Sequence, residues 1–126
     1  QFSSWPVEGL TRDLHTGTHL VFLFTSDSKT VEADVAMMNA AAQSDGIPSS
    51  IGLLTEGAAK VTEVMFQYGT AFPVGSIEPR FARKLYRTLP RTFILRNGVV
   101  RKVWPGIPTP ADAQESVAAV NTEPGH

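Results

Sequence analysis

The side chain best suited to covalent chemistry is missing from this chain: among its 126 residues there is no cysteine. Disulfides, thiolate catalysis, iron–sulfur clusters and cysteine zinc sites are therefore excluded. The histidines are His15, His19 and His126. His15 and His19 stand four apart, a spacing that would put two ligands on one face of a helix. Gly17 lies between them and an apolar strand follows at Leu20, so both read as surface or loop residues, and no third ligand completes a metal site. Asp13, His15 and a serine form a triad only on paper, because no Gly-x-Ser-x-Gly elbow is present. Lys29 and Glu32 read as a weak surface pair at i, i+3; acid–base use of either requires burial and a perturbed pKa. Met37, Met38 and Met65 read as core filler rather than a metal box. No glycine-rich phosphate loop occurs. Neither a metal nor a cofactor is expected.

Charge offers a second kind of chemistry. The net charge is −1, yet eight of the eleven basic residues lie between Arg80 and Lys102, where no acid occurs. The remainder holds twelve acids against three bases. Arg80, Arg83, Lys84 and Arg87 recur at helical spacing on one face, a patch suited to an acidic partner or an anionic surface. The competing reading is a solvated face balanced in space by the acidic remainder. Aromatic interleaving is absent and the pI is 6.3, which argues against nucleic acid.

These residues must be positioned by ordinary globular elements. The apolar fraction of 42% and charged fraction of 18% are those of a soluble domain, and the length suits one domain with a real core. No run approaches the roughly 18 apolar residues that a membrane-spanning helix needs. Gln1 is not a start methionine, so the chain reads as processed or as an excised piece, and the sequence does not show whether a signal peptide or anchor preceded it.

Residues 1–17 read as an extension in which Trp5-Pro6-Val7 forms an edge strand or covers the core. Leu20–Phe24 is continuously apolar, as a strand buried on both faces would be. Thr25-Ser26-Asp27-Ser28 is a cluster of helix-capping residues, with Ser28 at the capping position. A helix is expected over 29–43, with Val31, Val35, Met38 and Ala42 facing the core, ended near Gly46. A strand follows at Ser50–Leu54. A helix at 58–68 presents Val61, Val64, Met65 and Tyr68. A short strand at 72–74 is expected to be at an edge or brief because of Pro73, and a basic helix spans Pro79–Tyr86. Asn97-Gly98 between two β-rich runs is the strongest short hairpin signal, because both turn residues need positive φ. Thr109 caps a last helix to about Val120, and 121–126 form a disordered tail. The order β-α-β-α-β-α-β-β-α implies a mixed sheet covered by helices.

This order, the buried strand before a capped helix, and Leu89-Pro90 before the hairpin resemble the thioredoxin-like superfamily, in particular the redoxin group of exported thiol–disulfide oxidoreductases. The resemblance spans about residues 18–120. Pro90-Arg91-Thr92-Phe93-Ile94-Leu95 is similar to the family's Pro-Thr-Thr-Phe-hydrophobic strand, with Arg91 in place of the first threonine. Asn97-Gly98 falls where the family places its turn, and Trp104-Pro105-Gly106 where it places a glycine. The resemblance implies an α/β domain of central mixed sheet, a cis bond at Pro90 and a periplasmic or otherwise exported setting. It also places Ser28-Lys29-Thr30-Val31 over the Cys-x-x-Cys. A register one residue later would use Lys29 and Glu32, but Glu32 would then point away from the core.

Serine and valine cannot perform disulfide exchange, which requires a thiolate. The resemblance then leaves a binding surface: Thr88, Leu89 and Pro90 would pair with an extended peptide by β-augmentation. The expected function is a cysteine-less protein-binding or structural module. The alternatives are an oxidoreductase whose cysteines were lost or deliberately replaced, and a non-thiol enzyme that reuses the cleft through Lys29 or Glu32.

Overall fold

A computed structural model describes residues 7–8, 16–47, 49–82 and 89–122. Six strands form one sheet in the order β1-β4-β3-β2-β5-β6. They are β1 (Val7–Glu8), β2 (Thr18–Phe24), β3 (Ser50–Leu54), β4 (Val74–Ile77), β5 (Arg91–Arg96) and β6 (Val99–Trp104). The helices are α1 (Val31–Ala42), α2 (Ala58–Tyr68), α3 (Pro79–Ala82) and α4 (Pro110–Asn121). β2, β3 and β4 pair in parallel, and the pairings of β1 with β4, β2 with β5, and β5 with β6 are antiparallel.

β2 runs through the middle of the sheet, and all seven of its residues are buried. Alternation assigns its side chains to opposite faces. Leu20, Phe22 and Phe24 join Ile94 under Val35 and Met38 of α1 and Ala113 and Val117 of α4. Val21 and Leu23 join Ile51, Leu53, Phe93 and Leu95 on the other face. Each such large side chain, fully buried, contributes roughly 1.5–3 kcal/mol. The hairpin closes through Asn97 and Gly98, both at positive φ, and the Leu89–Pro90 bond is cis.

Several expectations need correction. The strand near Pro73 lies at 74–77, beyond the proline, and it is interior because β1 covers its outer side. Pro73 contributes a carbonyl instead, accepting from Gly52 N–H at 2.9 Å. α1 begins at Val31 with Thr30 as its cap residue, so Ser28 does not cap it. Its last turn closes at Gln43, short of Gly46, because Gln43 N–H bonds Asn39 O at 2.9 Å. α4 runs through Asn121, whose side chain accepts from Thr18 Oγ1 at 2.5 Å and ties the helix to β2. Asn121 is therefore not tail. Met38 is core, but Met37 and Met65 are exposed. The face of α2 turned inward is Val64, flanked by partly buried Val61 and Tyr68.

Candidate functional site

The parallel pairing of β2 with β3 ends both strands side by side, Phe24 opposite Leu54. The loop after β2 therefore meets the loop after β3. Thr55 N–H donates to Phe24 O at 3.0 Å. Glu56 then grips the chain that leads to α1: its Oε1 accepts from Ser26 N–H at 2.6 Å, Ser26 Oγ at 2.7 Å and Thr25 Oγ1 at 3.1 Å. Burial pushes the Glu56 carboxyl up, but the Ser26 hydroxyl and N–H, the Thr25 hydroxyl and the nearby Lys60 ammonium outweigh it and hold it below its ordinary value.

A lowered folded-state pKa means that this stabilisation is complete above the ordinary carboxylate range and is lost as pH falls through the folded value. Glu56→Gln is therefore expected to lower stability by about 1–2 kcal/mol at neutral pH, with the gap to wild type closing in acid. Urea denaturation of both proteins across this range checks it; a gap that does not change with pH would remove the carboxylate from the account.

Beyond Ser26, the loop is ordered by its own side chains. Ser28 Oγ accepts from Thr30 N–H at 3.2 Å and lies 2.9 Å from Thr30 Oγ1. Thr30 Oγ1 donates to Asp34 Oδ2 at 2.9 Å, so the Ser28 hydroxyl supplies the proton of the Ser28–Thr30 bond. Val31 N–H donates to Ser28 O at 3.3 Å, closing a turn from Ser28 to Val31. Ser28 is half-buried and Val31 is buried. Lys29 and Glu32 are exposed, and Lys29 precedes the helix, so neither has the burial that acid–base work requires.

The start of β5 lies beside this loop. β2 and β5 pair with Leu23 opposite Arg91, and one further step of that register brings Phe24 to Pro90. Leu89 and Pro90 are half-buried. Thr92 Oγ1 donates to Gly106 O at 2.7 Å, fastening the end of β6 to this corner. Thr88, Arg83, Lys84 and Arg87 lie outside the described residues. Arg80, at the start of α3, is exposed. His19, expected at the surface, is buried in β2. Its Nε2 donates to Thr16 O at 2.7 Å and its Nδ1 lies 2.6 Å from Ser49 Oγ, so both ring nitrogens serve to tie strand ends together.

Sequence reasoning missed Glu56 and Asp34. Glu56 was legible in principle, since two parallel strands ending together bring Thr25-Ser26 against Thr55-Glu56. Asp34 had no such signal: it reads as one more acid on a helix, yet it is buried and accepts the Thr30 hydroxyl. Two hollows share Gln67 and Tyr68: one of about 370 Å³ between α1 and α2, and one of about 120 Å³ between α2 and the loop after β2. The smaller reaches Ser26 and Asp27. Among the described residues no cluster of histidine and carboxylate side chains is placed to hold a metal ion, and no helix is long and apolar enough to cross a membrane.

The sequence matches no protein-family model and no curated protein. Solved structures do resemble it. A thiol-disulfide isomerase from Corynebacterium glutamicum superposes with a TM-score of 0.70 at 16% identity, covering 93% of this chain and 89% of its own. A thioredoxin-related protein from Neisseria meningitidis serogroup B gives 0.65 at 15% identity, covering 86% and 87%. A thiol:disulfide interchange protein of the thioredoxin family from Chlorobium tepidum gives 0.62 at 20% identity, covering 84% and 81%. At such identities the likeness is one of fold. With its strand order, the protein has a thioredoxin-like α/β fold, and it contains no cysteine.

Proposed function

We propose that this domain is a non-catalytic binding module that holds an extended segment of a partner protein along Thr88, Leu89 and Pro90. One observation carries the reading: the fold is thioredoxin-like, yet no thiol exists anywhere in the chain, and on this reading Ser28 and Val31 stand in the redox positions. The loop is held by Glu56, Thr30 and Asp34, none of which can transfer electrons. A hydroxyl attacks disulfide sulfur far too weakly to substitute for a thiolate, and an isopropyl group does not attack at all. Backbone groups at a strand start, by contrast, pair with an extended peptide whatever lies at Ser28 and Val31.

Insulin reduction in the presence of dithiothreitol tests the first half of this reading. The protein is expected to give the rate of the protein-free control, and turnover above that rate would overturn it. Amide shifts of labelled protein test the second half. Added extended peptides are expected to move Leu89 and Arg91 before any other described residue.

A further inference from the structure

We infer that Arg91 makes the Leu89–Pro90 edge selective for acidic segments, so that the partner strand presents a carboxylate there. This rests on the peptide-binding reading above and adds the class of ligand. Arg91 is the first residue of β5, adjacent to Pro90. It pairs across the sheet with Leu23 and shares the face of Leu23 and Phe93. Its side chain is only half-exposed, and its Nε is buried without a hydrogen-bond partner.

An Nε–H in that state is costly, because burial removes its water and nothing replaces it. The chain offers little relief nearby. From Pro79 to Ala111 there is no acidic residue, and β2, on the other side of β5, contains none. Glu56, at the end of the neighbouring strand β3, is already engaged by Ser26 and Thr25. Among the described residues Arg91 forms no ion pair. A carboxylate arriving on a paired peptide would supply the missing acceptor, and a guanidinium takes one through two parallel N–H bonds. Charge also separates the outcomes: a second copy of the basic β5–β6 hairpin would be repelled, whereas an acidic strand is attracted.

The test uses capped peptides of alternating threonine and valine, one series with a single central glutamate and a matched series with glutamine. Each is titrated into labelled protein and followed at the amides of Leu89, Arg91 and Thr92. The glutamate peptide is expected to bind about ten-fold more tightly, the effect of one charge-assisted hydrogen bond. Arg91→Thr is expected to abolish that preference, so that the glutamate and glutamine peptides bind it equally, while Arg91→Lys retains part of it. Equal affinity of wild type for the two series overturns the acidic selectivity but leaves the peptide edge standing. A preference that survives Arg91→Thr overturns the assignment to Arg91. No binding of either series overturns the peptide edge, and this inference with it.

Discussion

The double variant Ser28→Cys/Val31→Cys is expected to turn a protein without disulfide-reductase activity into one that has it. The two positions are already joined by the turn from Val31 N–H to Ser28 O at 3.3 Å, which brings the first position back over the third residue beyond it. The half-buried Ser28 position leaves its sulfur reachable, and the buried Val31 position shelters the second, as an exchanging pair requires. A thiolate at residue 28 inherits the Thr30 N–H that Ser28 Oγ now accepts at 3.2 Å, at the positive end of the α1 dipole. One group opposes it: Asp34, linked through Thr30 Oγ1, places a negative charge nearby. Adding Asp34→Asn should therefore raise the reactivity of the dithiol further. Dithiothreitol-coupled insulin reduction, with alkylation rates followed against pH, reads both effects. A double variant that forms no internal disulfide and matches the protein-free rate would show that Ser28 and Val31 are not the redox positions.

Gly52→Ala is expected to cost about 2–3 kcal/mol of stability, the upper range for overpacking a rigid core. A Cβ at residue 52 would stand 2.7 Å from Phe72 Cε1 and 3.0 Å from Phe24 Cε1. Both rings are held: Phe24 is fully buried at the end of β2, and Phe72 packs at 50° against Phe22 with centroids 5.2 Å apart. Gly52 itself is fixed by its N–H to Pro73 O and by pairing with Phe22 and Val74. The missing side chain is thus the slot that lets Phe72 close over the sheet before β4 begins. Urea denaturation measures the loss. A change below a few tenths of a kcal/mol, roughly the scatter for an unconstrained surface site, would mean that the rings yield.

Most elements were legible because their signals are local. The apolar run Leu20–Phe24, the Asn97-Gly98 turn and the Thr109 cap each act over a few residues, and Thr109 Oγ1 does accept from Asp112 N–H at 3.2 Å. Errors arose where a distant partner outweighed the local preference. Pro73 argued for an edge, but β1 supplies an outer neighbour to the strand that starts just after it. Ser28 looked like a cap, but its hydroxyl is spent within the loop and Thr30 stands at the helix start. Met65 matched the helical period, yet α2 turns Val64 to the core and leaves Met65 and Phe66 outside.

By itself the sequence determined the α/β order and the exclusion of thiol chemistry, because periodicity, turn residues and a missing element are properties of the chain alone. Only the tertiary structure decided what surrounds Ser28 and Val31. Glu56 reaches Ser26 because β2 and β3 end in register, thirty residues apart in the chain. Asp34 is a core-facing acid because α1 lies on the sheet with that face down. Among the described residues Arg91 Nε has no partner, because β2, β5 and β6 carry no carboxylate. Burial and pairing are relations between elements, and a charge shows what it needs from a partner only when its neighbours are in place.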